Sequence, residues 1–300
     1  MTDIIIIGSG AAGLTAAVYA LRAGKTVLII EKNAFGGQIT YSPKVENFPS
    51  VTSISGSELA DRMTSAAIDA GAEFEMETVT SVEDHGATKT VFCGTKAYEC
   101  KAVIIAVGVK HRQLGLEREN ELTGSGISYC AVCDGAFFTG QEVAVAGGGN
   151  SALQEAVYLS EICSHVTVIE CLPEFTGEKK LLEKLRAKKN VTLLSGTRIV
   201  ALEGESELCG LRLRTGEEEK SLLVSGLFTA IGLIPDNGAF CDVVTTDERG
   251  YIVSDESCET GTPGVYVAGD CRKKTVRQLT TACADGSVAA LAACRYIDSL

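Results

Sequence analysis

Positive charge is scarce in this 300-residue sequence, in which 27 lysines and arginines stand against 39 aspartates and glutamates. The net charge of −12 argues against nucleic acid as a partner, because a surface of that sign repels the phosphate backbone. Histidine is also rare. We expect the three histidines, His85, His111 and His165, on the surface and outside any catalytic site.

The sequence also lacks any stretch with the composition of a flexible linker, so domain boundaries have to be inferred from topology. The segment from Ile4 to Leu21 carries no charge, but its three glycines and the lack of basic residues before it argue against a membrane span or a signal peptide. With 12 cysteines and no targeting segment, the protein is expected in the reducing cytoplasm, where most thiols stay reduced.

Two of the cysteines stand in the sequence Cys130-Ala131-Val132-Cys133-Asp134. A pair with this spacing can cycle between dithiol and disulfide, with the thiolate as the reacting form, and Asp134 is a candidate to give or take the proton. The alternatives are a structural disulfide and half of a zinc site. None of the other ten cysteines forms the second close pair that a zinc ribbon needs, so redox chemistry without a metal is favoured.

A glycine-rich turn lies near the start of the chain, with the sequence Gly8-Ser9-Gly10-Ala11-Ala12-Gly13. The β-branched run Ile4–Ile7 before it predicts a buried parallel strand, and an alanine-rich helix follows it. Gly8 permits a tight turn, Gly10 lets the backbone approach a pyrophosphate, and Gly13 lets the helix pack closely on the strand. The next predicted strand, Val27–Ile30, ends in Glu31, whose carboxylate can bind the hydroxyls of an adenosine ribose.

The same order of elements recurs in the second half of the chain. The predicted strand Val143–Ala146 leads into a second turn, and the predicted strand Val166–Ile169 ends in Glu170. The second turn has the sequence Gly147-Gly148-Gly149-Asn150-Ser151-Ala152. Glu31 and Glu170 lie at the same distance from the last residues of their turns. This repetition indicates two dinucleotide-binding modules in one chain.

A third strand-like run, Val265–Ala268, is followed by Gly269 and by Asp270, whose carboxylate can bind a ribityl hydroxyl. This run would return the chain to the first module. The predicted fold is therefore α/β, with two Rossmann-like dinucleotide-binding domains, the second inserted into the first. The predicted limits are 1–112 and 239–300 for the first domain and 113–238 for the second, which carries the cysteine pair.

Further short motifs accompany the glycine turns and the cysteine pair. They are Gly36-Gly37-Gln38, Val45-Glu46-Asn47-Phe48-Pro49, Ala230-Ile231-Gly232, Ala268-Gly269-Asp270 and Arg277-Gln278. In this combination, and along essentially its whole length, the sequence resembles the low-molecular-weight thioredoxin reductases.

The resemblance implies that the first domain holds FAD and the second a reducing nicotinamide nucleotide, in domains of the three-layer ββα type. The implied FAD-binding residues are Gly8, Ser9, Gly10, Ala11, Ala12, Gly13, Glu31, Lys32, Gly37, Gln38, Asn47, Gly108, Gly269, Asp270, Arg277 and Gln278. The residues implied for the second nucleotide are Gly147, Gly149, Asn150, Ser151, Ala152 and Glu170.

The sequence departs from that family after the strand Val166–Ile169. Relatives usually carry His-Arg-Arg and a further arginine there, which bind the 2′-phosphate of NADPH, whereas this chain has Glu170, Cys171, Leu172 and Thr176. A carboxylate would hydrogen-bond to a free 2′-hydroxyl and repel a phosphate. NADH is therefore the expected electron donor and NADPH is disfavoured. Ferredoxin, in place of any nucleotide, is the alternative donor.

The activity implied by the resemblance is that of an FAD-dependent thioredoxin-disulfide reductase. Cys133 would face the flavin, Cys130 would attack the disulfide of thioredoxin or a thioredoxin-like protein, and Asp134 would manage the proton. Relatives are mostly homodimers. A hypothesis of another class is a flavin-binding redox sensor with little turnover.

Overall fold

The computed structural model describes residues 1–42 and 44–300, which fold into two compact units. Unit 1 consists of Met1–Lys110 and Ile234–Leu300, and unit 2 consists of His111–Leu233. The chain therefore leaves unit 1 once and returns to it, which is the predicted insertion of one α/β domain into another. The nucleotide assigned to each unit, and the domain limits of 1–112, 113–238 and 239–300, stay predictions.

The elements before unit 2 alternate strands with helices and then form an antiparallel meander. They are β1 (Thr2–Ile7), α1 (Ala11–Arg22), β2 (Val27–Glu31), α2 (Gly56–Asp69), β3 (Glu73–Met76), β4 (Ser81–Asp84), β5 (Lys89–Cys93), β6 (Lys96–Ile105) and β7 (Val109–His111).

Unit 2 contains a parallel sheet, its helices and a separate antiparallel sheet. Its elements are α3 (Glu119–Leu122), β8 (Ile127–Ser128), α4 (Ala131–Asp134), β9 (Glu142–Ala146), α5 (Asn150–Ile162), β10 (His165–Ile169), α6 (Lys179–Arg186), β11 (Val191–Leu194), β12 (Thr197–Glu203), β13 (Gly210–Thr215), β14 (Glu218–Leu223) and β15 (Gly226–Thr229). The return to unit 1 adds β16 (Leu233–Pro235), β17 (Val265–Val267) and α7 (Leu279–Asp298).

Unit 1 is a three-layer structure around a parallel sheet in the order β3-β2-β1-β6-β17. β1 lies in the middle of this sheet and is buried on both faces. Ile4 and Ile6 pack with α1, α2 and α7, whereas Ile5 and Ile7 pack with the meander β4-β5-β6 on the other face. Each buried isoleucine stabilises the fold by roughly 1.5–3 kcal/mol. This two-sided burial explains why the run is uniformly apolar instead of alternating.

Unit 2 repeats the design with a parallel sheet in the order β11-β10-β9-β15-β8. Val143 and Val145 of β9 pack with the helices on one face. Ala144 and Ala146 pack on the other face, against the side of the antiparallel sheet β12-β13-β14. Both units are thus Rossmann-like domains of the three-layer ββα type, as predicted. Within residues 1–42 and 44–300, no helix is long and apolar enough to cross a membrane.

Candidate active site

The cysteine pair lies in unit 2, in the turn that follows the carboxyl end of β8. Cys130 and Cys133 form a disulfide, with their Cα atoms 5.3 Å apart. Cys130 is the N-cap of α4, and its Sγ accepts a hydrogen bond from Cys133 N at 3.2 Å. Both cysteines are partly exposed, and Val132 between them is 55 % exposed. A disulfide of this kind is open to exchange with a thiol of another protein.

Asp134 is placed directly against this turn. Its Oδ2 accepts a hydrogen bond from Ser128 Oγ at 2.6 Å, while its Oδ1 is buried and has no hydrogen-bond partner. Burial raises the pKa of the carboxyl group, and the hydrogen bond from Ser128 opposes this shift. A carboxyl group with a raised pKa and a free oxygen binds a proton more readily than an exposed one, which suits the role predicted for Asp134. Sequence reasoning missed Ser128.

Tyr129, the residue before Cys130, is held by two residues that sequence reasoning did not connect with the site. His111 stacks on the Tyr129 ring with 4.9 Å between ring centroids. The Tyr129 hydroxyl donates to Oε1 of Glu119 at 3.2 Å, and Glu119 is only 2 % exposed. His111 was expected on the surface; it is only partly exposed, and burial lowers the pKa of its imidazole.

The other two histidines have no contact with the cysteine turn. His85 lies in an exposed turn, as expected. His165, also expected on the surface, is the partly exposed first residue of β10, where its Nε2 is hydrogen-bonded to Thr192 Oγ1 at 2.9 Å. The strand begins one residue earlier than the β-branched run that marked it.

The first glycine of each turn is required by a close backbone approach. Gly8 has a φ of 104°, and a Cβ atom there would lie 2.5 Å from the Ala106 carbonyl oxygen. Gly147 has a φ of 125°, and a Cβ atom there would lie 2.6 Å from the Ala230 carbonyl oxygen. Both the left-handed backbone and the contact exclude a side chain. The two turns are therefore equivalent in geometry as well as in sequence.

The third residue of each turn faces open space. A Cβ atom on Gly10 would have no other atom within 4 Å, and one on Gly149 would meet only Thr176 Oγ1, at 3.9 Å. Both glycines are the N-caps of long helices. The first helical turns consist of Ala11, Ala12 and Gly13 in α1 and of Asn150, Ser151 and Ala152 in α5. Free space beside a helix N-terminus fits a pyrophosphate, which the exposed amides of the first turn can bind.

The acids at the ends of β2 and β10 are held in the same way. Glu31 Oε2 accepts from Ser9 N at 2.8 Å, and its Oε1 accepts from Asn33 N at 3.0 Å. Glu170 Oε1 accepts from Leu172 N at 2.8 Å. A Cβ atom on Gly148 would lie 2.2 Å from Glu170 Oε2, so this oxygen lies directly against the second turn. Each carboxylate is thus fixed over its glycine turn, where an adenosine ribose is expected.

Asp270 follows β17 in unit 1 and has an unsatisfied oxygen. Its Oδ1 is buried and makes no hydrogen bond, although Lys274 Nζ lies 3.6 Å away. Burial raises the pKa of this carboxyl group, against the effect of Lys274. Arg277 Nε donates to the Asp270 carbonyl oxygen at 3.2 Å, and Gln278 is the N-cap of α7. A buried oxygen that lacks a donor fits the ribityl hydroxyl predicted to bind there.

The remaining residues predicted for FAD are also in unit 1, and two of them already have partners. Gln38 Nε2 donates to the Val109 carbonyl oxygen, and Lys32 Nζ lies 2.9 Å from Asp236 Oδ2. Asn47 is exposed. The others are Gly37 and Gly108, both with positive φ, and Gly269, whose N–H donates to Asp285 Oδ2 at 3.1 Å. Among the residues that the structure describes, no group of three His, Cys, Asp or Glu side chains is placed to hold a metal ion.

Comparison with known proteins gives consistent results over the full length of the chain. Residues 2–286 match the model of the family described as pyridine nucleotide-disulphide oxidoreductase. The chain is 40 % identical to a thioredoxin reductase of Listeria monocytogenes, covering 99 % of this chain and 94 % of the relative. It is 42 % identical to one of Mycolicibacterium smegmatis, covering 98 % and 96 %. A crystal structure of thioredoxin reductase from Streptococcus pyogenes superposes with a TM-score of 0.96 at 37 % identity, covering 100 % and 99 %.

The chain belongs to the pyridine nucleotide-disulphide oxidoreductase family, and within it to the low-molecular-weight thioredoxin reductase type. The family uses FAD and a pyridine nucleotide. Gly10 and Asp270 of unit 1 fit FAD, since they leave the space for a pyrophosphate and an unpaired oxygen for a hydroxyl.

Gly10→Val is expected to lower the flavin content from one FAD per chain to near zero, because the branched side chain would fill the space that the pyrophosphate needs. The flavin absorbance of the purified protein measures this. Since no protein atom lies near that position, the variant should still fold, which circular dichroism checks.

Gly149→Val is the matched control in unit 2. It should keep FAD and lose reduction of the flavin by nicotinamide nucleotide. A Gly10→Val protein with a full complement of FAD would contradict the assignment of unit 1, as would a folded wild-type protein that cannot be reconstituted with FAD.

Proposed function

We propose that this chain carries electrons from NADH, through FAD in unit 1 and the Cys130–Cys133 disulfide in unit 2, to the disulfide of thioredoxin or a thioredoxin-like protein. The observation that supports it most is the disulfide itself, partly exposed and flanked by a carboxyl group with a raised pKa. The ten other cysteines are free thiols, which suits the reducing cytoplasm that we propose as its location.

The two cysteines have different roles in thiol–disulfide exchange. FAD supplies the two-electron carrier between the nicotinamide and the disulfide. On reduction the Cys130–Cys133 bond breaks, and the electron pair with one proton leaves Cys133 as a thiol and Cys130 as a thiolate. The Cys130 thiolate then attacks the partner disulfide, and the Cys133 thiolate attacks Cys130 Sγ to release the reduced partner. Asp134, beside Cys133, holds the proton that the thiol loses.

Cys130→Ser and Cys133→Ser are each expected to abolish reduction of thioredoxin while FAD stays bound, because the relay needs both sulfurs. The rate of thioredoxin reduction by each variant tests this. The two variants should differ in a second measurement. Cys133→Ser should trap a mixed disulfide through Cys130, visible by mass spectrometry, when thioredoxin that lacks its resolving cysteine is supplied with its remaining cysteine as a mixed disulfide with thionitrobenzoate, which leaves as the thiolate. Near wild-type activity in either variant would refute the assigned roles.

The choice of NADH rests on the residues that follow β10. Glu170 holds its position over the second turn as Glu31 does over the first, which suits hydrogen bonds to the two hydroxyls of an adenosine ribose. A 2′-phosphate would bring negative charge beside this carboxylate. One such charge pair at about 4 Å and an effective dielectric near 20 is worth roughly 4 kcal/mol before screening. Solvent reduces this to about 1–2 kcal/mol, a preference of roughly tenfold or more.

The positive charge of one basic residue, Arg198, acts on the segment that follows Glu170. Its effect on nucleotide choice has to be tested separately. Burial raises the pKa of the Cys171 thiol, and Arg198 on β12 opposes that shift, so its positive charge acts at the segment that follows Glu170. Arg198 is exposed. An exposed side chain is screened by solvent, and its attraction for a phosphate offsets the repulsion from the buried Glu170 only in part.

The wild-type enzyme should use NADH at least about tenfold more efficiently than NADPH, measured as kcat/KM for flavin-linked turnover. The combined variant Glu170→His, Cys171→Arg, Leu172→Arg and Thr176→Arg should shift the preference toward NADPH. Arg198→Ala is the control, and it should leave NADH use unchanged and weaken NADPH use further. Reduction of the flavin by ferredoxin, with neither nucleotide active, would refute NADH as the donor.

We further propose that the chain forms a homodimer. Tyr19 on α1 and Val288 and Leu291 on α7 are exposed apolar side chains on two helices that pack together. Light scattering of the FAD-loaded protein should give twice the chain mass of 31.5 kDa. Leu291→Glu should lower that mass to a monomer because it would place a charge within the apolar face. A monomeric wild type would refute this assembly.

A further inference from the structure

The side chain of Glu155 is a partly buried carboxyl group that the relay described above does not use. It belongs to α5, which packs against α4, the short helix that carries the cysteine pair. Its Oε2 atom is buried and has no hydrogen-bond partner. The donor that faces the carboxyl group is the backbone N–H of Ala131, the first residue of α4. Glu155 therefore contacts α4 at Ala131, the residue next to Cys130.

Two carboxyl groups thus lie at the two cysteines. Asp134 follows Cys133 in the chain, Glu155 faces the residue after Cys130, and each has a buried oxygen without a partner. An ionised carboxylate in such a place is destabilised by the loss of hydration, which a bound proton relieves. Burial accordingly raises the pKa of Glu155 to about 7, against the weaker effect of the Ala131 N–H. Glu155 can therefore change its protonation state near neutral pH.

The other titratable groups around α5 are exposed or have partners of their own. α4 presents Asp134, β9 presents the exposed Glu142, and β10 presents His165, which is hydrogen-bonded to Thr192. The 3₁₀ turn Gly135–Phe138 has no titratable side chain. The charged side chains of α6 are all exposed: Lys179, Lys180, Glu183, Lys184 and Arg186. Burial raises the pKa of Glu155, and the group that opposes this shift is the Ala131 N–H beside the cysteine pair, so the carboxyl group responds to changes at the cysteine turn.

We propose that Glu155 is a positioning residue of the redox centre that takes up a proton when the Cys130–Cys133 disulfide is reduced and releases it when the disulfide forms again. Reduction breaks the sulfur–sulfur bond, and the two electrons arrive through the flavin of the established family activity. One proton goes to Cys133 and the second to Glu155, which leaves Cys130 as the thiolate. The negative charge of that thiolate favours the protonated carboxyl group next to it.

The return step balances in the same way. The Cys130 thiolate attacks the partner disulfide, and the Cys133 thiolate then displaces the partner. The two sulfurs of the partner leave as thiols, and their two protons come from Cys133 and Glu155. The centre thus passes two electrons and two protons together, and no extra charge stays at the cysteine turn.

The test is a redox titration of the FAD-loaded protein against a dithiol buffer at several pH values. The disulfide fraction is read by alkylation and mass spectrometry after an acid quench. Where Glu155 is ionised in the oxidised protein and protonated in the reduced protein, reduction takes up one extra proton. From pH 7 to pH 8, the equilibrium constant for reduction of the wild type should therefore fall by up to about tenfold more than that of Glu155→Gln.

Two controls separate this role from a structural one. Glu161→Gln removes an exposed carboxylate of the same helix, which is paired with Lys188 at 2.6 Å, and should keep the wild-type pH dependence. Glu155→Asp keeps a titratable group and should keep part of the extra proton. Equal pH dependence in the wild type and Glu155→Gln would overturn the proposal. So would a wild-type titration without a change of slope near pH 7, which decides the matter even if Glu155→Gln does not fold.

Discussion

The close approach of each glycine turn to the carbonyl group after the neighbouring strand is the constraint on which both units depend. A side chain on Gly8 or Gly147 would occupy the space of the Ala106 or Ala230 oxygen, so only glycine allows the turn to be this tight. Because the turn is tight, the helix begins at once and directs its free amides to the open space beside Gly10 or Gly149. The predicted nucleotide site is thus a consequence of how a buried parallel strand reverses into a helix.

The two units use one equivalent position of this scaffold for different chemistry. The sheets have matching orders, β3-β2-β1-β6-β17 and β11-β10-β9-β15-β8, so β17 and β8 correspond at one edge. The turn after β17 carries Asp270, and the turn after β8 carries Cys130. Because carboxyl ends of parallel strands meet at one edge of a sheet, each of these residues lies at the edge where its own unit has its glycine turn. Along the chain, β17 is the last strand of unit 1, whereas β8 is the first strand of unit 2. A comparison of the two halves of the sequence in chain order therefore does not reveal that these strands are equivalent.

The features that the sequence predicted are those encoded by neighbouring residues. The two glycine turns, the insertion of one domain into the other and the redox disulfide all follow from short patterns, and the fold class and the family are confirmed. The stacking of His111 on Tyr129 was not predicted, because the two residues are 18 positions apart in the sequence. The position of Glu155 was not predicted for a similar reason. Its neighbour Ala131 lies on another helix, and nothing in the sequence of α5 indicates that the two face each other. Burial of a single polar side chain depends on which helices pack together, and periodicity does not specify that.

The electrostatics of the cysteine turn follow from the burial of carboxyl oxygens without a neighbouring cation. The pKa of Asp134 and that of Glu155 are both raised by burial, and no basic side chain is among the groups that shift either of them. A thiolate formed beside two ionised carboxylates would add a third negative charge to a poorly hydrated turn. A carboxyl group whose pKa is raised avoids this accumulation if it binds a proton as a thiolate appears and releases it as the thiolate is consumed. A redox centre that lacks a neighbouring cation can therefore keep its charge low by moving protons together with electrons.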